Sequence, residues 1–375
     1  MKIAIMANMA DSFVKPLAIG LGTMCKQVGI EFTIFYDGLF FLDHNPPPPK
    51  IRFKGPKALL LSTYQSVFPP FKKRFDQIWK ELESHDCMVV IETMPICYLR
   101  DRLTRIEEFR QRFPDKPVVL YDLIYLSTLG EWISFLKNGN DYHGFIQGKN
   151  HYGLERFDWY LIGSASTDFP MPEGPQPISL IGCHIDDGSL YPEQKEFHAL
   201  VDFERPNHMK ERAIQILALE DTNTPYTVLH GRYAQTEIRR IYRSSSIYFL
   251  AHLEAFGLPI AEVEACGGIV FSPYQNWALG HYQKPDLSKR GSAPLSSNFK
   301  VYNNNLETLK SMIEEAKSTF NSKKNLLVFQ KEDDRFFHGN LDELKAFTDK
   351  FKSGEFTSSS HKSYEKLNNL IETGL

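Results

Sequence analysis

Two apolar runs, IAIM at residues 3–6 and IYFLA at residues 247–251, constrain this chain more than any other feature. Neither shows the in–out alternation of a sheet with one wet face; continuous runs of this kind belong to strands buried on both faces of a parallel sheet. The first leads into a polar loop and then into a segment whose apolar residues fall at helical spacing; the second leads into a turn and a segment that starts on a proline. The N-terminal series begins with KIAIMANMADSF and FVKPLAIGLGTMCKQVG, the latter ending on Gly29 as a C-cap. It continues with the strand IEFTIFYDG, a linker holding Pro46 to Pro49, a helix around FKKRFDQIWKELE, the strand CMVVIE, a helix at YLRDRLTRIEEFRQRF and the strand PVVLYDL. Further strands are expected at WYLIGSA and ISLIG. Strands alternating with helices predict a parallel α/β architecture.

A chain of 375 residues exceeds what one hydrophobic core usually supports. The composition turns polar at DDGSLYPEQKE, from residue 186, and the alternation then restarts with FHALVDF, YTVLHG, SIYFLA and GGIVFSP as strands. The expected organisation is therefore an N-terminal Rossmann-like lobe over 1–185, a second over 186–345, and closing helices over 346–375, with helical spacing in LDELKAFTDKF and KSYEKLNNLIETGL.

Several functional classes are disfavoured at this point. A formal net charge of -3 gives no global pull toward nucleic acid. The five cysteines are scattered, odd in number and without a CxxC pair, so they are expected to be reduced and mostly buried, with no zinc site. The N-terminal run is too short for a signal sequence and no stretch reaches a membrane span, so the expected location is cytoplasmic, at most peripheral to a membrane. GLGTMC, at residues 20–25, lies inside an expected helix instead of at a strand-to-helix turn, which argues against nicotinamide binding. Ser164 and Ser166 lack a nucleophile elbow, and Glu262 and Glu264, two positions apart on a helix, point away from each other.

The stretch HLEAFGLPIAEVEACGG, at 252–268, follows the IYFLA strand and so falls at a strand's carboxyl end, where ligands bind in open α/β sheets. Pro259 suits the first position of a helix, because its missing N–H would have no intrahelical acceptor. The amides of Phe256, Gly257 and Leu258 then form a donor set at a helix N-terminus, where phosphate is the expected guest. Glu262, in the first turn, could accept hydrogen bonds from a vicinal diol such as a ribose; Glu254 lies on the preceding loop. For an isolated pair of this spacing the plainer account is better: Glu262 complements the helix dipole, worth ~0.3–1 kcal/mol, and Glu254 is a surface loop residue.

The pair is not isolated. The stretch resembles the E-x-F-G-L…E-A-x-A-x-G signature of retaining GT-B glycosyltransferases of family four, and the flanking chain is similar in order over residues 175–275. IGCHIDDGSLYP resembles that family's hinge, ALVDFERPNHMK its first strand and loop of the second lobe, and TPYTVLHGRYAQTEIRRIYRSSSIYFLAHLEAFGL the segment leading to the signature. The resemblance implies a GT-B fold, two Rossmann-like lobes with a cleft between them, closing by motion around residues 184–196. It implies transfer of a sugar from a nucleotide-sugar donor to a glycan or lipid-linked acceptor, with retention of configuration and no metal or other cofactor. Glu262 would hold the ribose, Glu254 the donor sugar, and Phe256, Gly257 and Leu258 the diphosphate, with Arg205 and Lys210 facing the leaving group. Taken alone, that last pair reads as solvated loop charges.

Departures from the family pattern are Glu204 and Glu211, each in place of a glycine flanking the basic pair, and NMADSF, at 8–13, in place of a Gly-Gly loop. Where the family often has a histidine in the first lobe, this chain has LYDL; Asp122 is a candidate polar group near the reacting carbon, with a helix N-cap or turn as its plainer role. His252 is a second candidate, with a structural role as the alternative. FPPFKKRF, at 68–75, could touch an anionic membrane, or form a solvated helix face. The alternatives to a glycosyltransferase are a GT-B-type sugar-nucleotide epimerase or phosphorylase, and a non-catalytic GT-B-like subunit that binds a nucleotide sugar or a partner.

Overall fold

The structure, a computed structural model, describes residues 1–7, 14–36, 69–92, 109–124, 157–164, 178–250, 257–273 and 295–355. They fall into two compact units, Met1–Gly163 with Phe169–Ile181 and Asn340–Leu375, and Ser164–Asp168 with Gly182–Gly339. The contact boundary after Ile181 lies four residues before the break expected from composition, and Asn340 onward joins the first unit.

In the first unit, β1 (Lys2–Met6), β2 (Glu31–Phe35), β3 (Cys87–Glu92), β4 (Val118–Ile124), β5 (Trp159–Ser164) and β6 (Ile178–Leu180) form one sheet in the order β2-β1-β3-β4-β5-β6. The register given for β1, β3 and their partners is parallel. Helices α1 (Val14–Gln27) and α2 (Pro69–Leu82) lie between strands, residues 109–112 are helical ahead of β4, and α1 ends as the sequence predicts. Gly29 has φ +74°, its N–H donates to Lys26 O and that of Ile30 to Cys25 O, which closes the helix with both bonds of a Schellman cap.

Asp122 lies inside β4, in register with Glu92, and is buried. The expected cap or turn role is thus corrected: the strand runs two residues past the aspartate. Trp159 donates to Ser179 Oγ at 3.0 Å, and its ring meets Phe347 edge-on at 5.7 Å.

In the second unit, β7 (Ala199–Val201), β8 (Tyr226–Val228), β9 (Ile247–Phe249), β10 (Ile269–Pro273) and β11 (Phe299–Tyr302) are all parallel, in the order β11-β10-β9-β7-β8. Helices α3 (Met209–Asp221), α4 (Gln235–Ser244), α5 (Leu258–Ala265), α6 (Leu306–Thr319), α7 (Ser322–Glu332) and the single turn α8 (Asp334–Phe337) complete it. Val201, Leu219, Phe249, Phe271, Leu309 and Ile313 belong to one buried cluster, so the apolar strand runs are packed by helices as their pattern requires. The last described helix, α9 (Leu341–Lys352), belongs to the first unit. Asparagines cap α6, α7 and α9, with Asn305, Asn321 and Asn340 accepting from the amides of Thr308, Lys324 and Glu343.

Cys25, Cys87, Cys183 and Cys266 are free and buried, and burial pushes the thiols of Cys25, Cys183 and Cys266 up to about 12. Cys97 lies outside the described residues. Among the described residues no helix is long and apolar enough to cross a membrane. The side chains of the stretch 68–75 lie outside the described residues.

Candidate functional site

The strand order of the second unit reverses between β7 and β9: the chain steps outward to β8 on one side and to β10 and β11 on the other. Two neighbouring strands whose connections diverge leave a crevice at their carboxyl ends, and that is where open α/β sheets bind ligands. Two segments of the sequence expectation leave from this point. The chain exits β7 through Asp202, Phe203 and Glu204 to Arg205, which precedes a short 3₁₀ turn, Pro206–His208; Lys210 follows as the second residue of α3. The exit from β9 runs through Leu250 toward α5.

The β7 exit is held by buried polar groups that the sequence reading did not single out. Asp202 N donates to Phe249 O across the switch point, and Tyr248 Oη donates to Asp202 Oδ1 at 2.8 Å. The guanidinium of buried Arg212 donates to the carbonyl of Asp202 at 2.9 Å. Gln215 Nε2 donates to Leu250 O at 2.7 Å and to Tyr302 Oη at 2.8 Å, tying the end of β9 to α3 and β11. Phe203 and Tyr233, from the loops after β7 and β8, meet with ring centroids 6.0 Å apart. Against this fixed frame Arg205 and Lys210 are exposed.

Helix α5 begins at Leu258, with Gly257 as N-cap and Pro259 at the second position. The expected start is thus one residue late, and Glu262 falls in the second turn. Gly257 has φ −115°, extended backbone open to any residue, so a left-handed conformation is not what requires glycine here. The Leu258 amide, first in the helix, has no intrahelical acceptor. Glu254, Phe256 and His252 lie outside the described residues.

Glu262 is gripped. Arg239, on α4, donates from Nε and Nη2 to Glu262 Oε1 at 3.0 and 2.9 Å. From Nη1 it donates to Asp187 Oδ2 and to Ser189 Oγ. Asp187 Oδ1 in turn accepts from the Ser189 amide and hydroxyl. The Arg239 side chain is 7% exposed, Glu262 12% and Asp187 39%, so the bridge runs from a buried carboxylate to a half-open one. Burial pushes the Glu262 carboxyl above its ordinary range against the pull of Arg239. For Asp187 burial also acts upward, but the bonds from Ser189 and Arg239 outweigh it and hold the group low. Arg243, one helical turn beyond Arg239, donates to Glu193 Oε2 and Ser189 O and stacks over Tyr191 at 4.7 Å. Two arginines four positions apart thus hold residues 187–193 along α4. A signal was present in the sequence, since DDGSLYPE supplies the acids and RRIYR the bases, but nothing in helical periodicity pairs them.

Among the described residues no group of three or more His, Cys, Asp or Glu could hold a metal.

No protein-family model matches the chain, and no curated protein matches its sequence. Its fold is shared with solved structures. Anabaena HepE, crystallised in complex with UDP and glucose, matches with a TM-score of 0.51 and 12% identity, over 94% of this chain and 100% of that one. The catalytic domain of starch synthase IV from Arabidopsis thaliana, bound to ADP and acarbose, matches with a TM-score of 0.54 and 10% identity, over 95% and 99%. The chain has the α/β fold with two parallel sheets that GT-B glycosyltransferases share.

Proposed function

We propose that this protein is a glycosyltransferase that takes a sugar from a nucleotide-sugar donor, with retention and without metal, and passes it to a glycan or lipid-linked acceptor. The observation that carries the reading is the switch point between β7 and β9, from which both the Arg205–Lys210 segment and the segment leading to Glu254 and Glu262 depart. Similarity of fold to proteins solved with UDP and glucose, and with ADP and acarbose, supports a nucleotide-linked sugar as the ligand class. In this reading Glu262 accepts from the ribose, the Phe256–Leu258 amides meet the diphosphate, Glu254 contacts the sugar, and Arg205 and Lys210 offset the charge that builds on the departing diphosphate.

The deciding experiment is calorimetric titration with UDP, ADP and GDP, followed by a donor-hydrolysis and transfer assay with the sugar nucleotide of whichever base binds. Binding with turnover is expected; binding without hydrolysis or transfer would make the chain a binding subunit, and no binding of any of the three would remove the nucleotide reading. Glu262→Ala is expected to weaken nucleoside diphosphate binding about 10- to 100-fold, the loss of hydrogen bonds to a charged acceptor being roughly 1.5–3 kcal/mol. Unchanged affinity in a folded variant would end the ribose assignment.

Arg205→Ala and Lys210→Ala are each expected to lower turnover about tenfold, or ~1.4 kcal/mol. That is less than the roughly 2.7–4 kcal/mol of a buried oxyanion donor, because both side chains are exposed and water screens them. Chelator is expected to leave the wild-type rate unchanged, since two cations and a helix end already face the diphosphate. Abolition of activity by chelator, or full activity in either variant, is the opposing result.

A further inference from the structure

We infer that Arg239 is a positioning residue for ribose recognition: its bridge between Asp187 and Glu262 leaves a single carboxylate oxygen, Glu262 Oε2, as the acceptor for the ligand's hydroxyls. This rests on the nucleotide-sugar reading above and makes it more specific.

A carboxylate oxygen has two lone-pair sites, and both sites of Oε1 are taken by Arg239 Nε and Nη2. Oε2 accepts no hydrogen bond among the described residues, while the side chain keeps 12% of its surface open. The two-nitrogen contact does more than occupy one oxygen. A guanidinium is planar and its Nε–H and Nη2–H run parallel at a fixed spacing, so an oxygen shared by the two is held between them in the guanidinium plane, which restricts how the carboxylate can turn. The third nitrogen is anchored in the same way, to Asp187 and Ser189. Arg239 itself is therefore held at both ends, and the direction of Oε2 is set before any ligand arrives.

The charge argument agrees with the geometry. Burial raises the Glu262 carboxyl, which disfavours the ionised form that accepts hydrogen bonds best. Arg239 is the cation opposing this, and Asp187 adds a second carboxylate that helps keep the buried guanidinium charged. Lysine could not replace it: an ammonium is a point donor and cannot span Glu262 Oε1, Asp187 Oδ2 and Ser189 Oγ from three separate nitrogens.

A merely structural arginine and a positioning one differ in which ligand they affect. The test is calorimetric titration of wild type, Arg239→Lys and Asp187→Asn with UDP and with 2′,3′-dideoxy-UDP, or the ADP or GDP pair if that base binds. Wild type is expected to bind the ribonucleotide at least tenfold more tightly than the dideoxy form. Arg239→Lys is expected to lose about tenfold toward the ribonucleotide and less than twofold toward the dideoxy form, so that discrimination collapses. Asp187→Asn, on the open side of the bridge, should fall between the two and serves if Arg239→Lys does not fold. Equal loss toward both nucleotides, or discrimination at the wild-type level in the folded variants, overturns the positioning role. If wild type binds both nucleotides equally, the ribose assignment fails with it while nucleotide binding stands, and if it binds neither, the functional reading itself has failed.

Discussion

Replacement of Gly267 by alanine is expected to lower the stability of the second unit by roughly 3 kcal/mol, far more than the same exchange at Gly231. Both glycines have φ +74°, and an L-residue in that region costs about 1–2 kcal/mol. The difference is in what a Cβ would meet. At Gly231 nothing lies within 4 Å, whereas at Gly267 the added carbon would stand 2.2 Å from Ser322 O and 2.8 Å from its carbonyl carbon, at the start of α7. These are backbone atoms and cannot rotate away, so an overpacking cost of about 1–3 kcal/mol adds to the backbone strain.

Gly267 also closes α5. Its N–H donates to Glu264 O, and the N–H of Gly268 donates to Val263 O, the two bonds of a Schellman cap. Its own carbonyl accepts from Asn325 Nδ2, which draws α7 onto the same turn. For a unit of this size ~3 kcal/mol corresponds to about 6–12 °C in the unfolding temperature. Scanning calorimetry of Gly267→Ala, Gly231→Ala and wild type decides it. Equal shifts in the two variants would mean that α7 yields freely and the close approach has no energetic weight.

These glycines also show which parts of the structure the sequence discloses. The C-cap at Gly29 was legible because a helical pattern stops on a glycine before the next strand, and both cap bonds are local. The parallel sheets were legible for a related reason: IAIM and IYFLA can be buried on both faces and so fit few other roles. β11 was not legible, because FKVY is buried only at its two ends, with Lys300 and Val301 between them exposed, and no continuous apolar run marks it. The caps at Asn305 and Asn321 went unread although asparagine ahead of a helical pattern is a start signal.

At the site the division is sharper. Glu262 stood out because it shares a short stretch with a glycine and a proline. Arg239 did not, since its partners lie 23 and 52 positions away and are joined to it only by tertiary folding. A basic helix face next to an arginine pair reads as solvated until the acids that fold onto it are known.

A second large effect concerns pH. Glu264 and Asp333 are both buried, on α5 and at the start of α8. Glu264 Oε1 accepts from Ser296 Oγ at 2.9 Å, while Asp333 Oδ1 has no hydrogen-bond partner among the described residues and lies 3.9 Å from Arg335 Nη2. Burial drives both carboxyls up; the charge of Asp333 adds to the effect on Glu264, and Glu332 acts upward on both. Arg335 pulls Asp333 the other way but does not cancel the burial, and the group is pushed up to about 6 from an ordinary 3.8.

The folded state therefore holds protons that the unfolded chain has already released, and stability falls as pH rises. Well below pH 3.8 Asp333 is protonated in both states and contributes nothing; the loss accumulates as pH climbs from there through about 6, and Glu264, raised by the same burial, adds a loss of the same sign. A rise from 3.8 to about 6 corresponds to roughly 3 kcal/mol at neutral pH. Asp333→Asn mimics the neutral acid and is expected to be more stable than wild type by about that amount at pH 7, with the difference shrinking to a small fraction of it at pH 4. Glu264→Gln should shift stability in the same direction. Urea titrations of the three proteins at pH 4, 5.5 and 7 are the measurement. A variant less stable than wild type at pH 7 would show that the attraction between Asp333 and Arg335 exceeds the cost of burying the charge, and would reverse the sign of the predicted pH dependence.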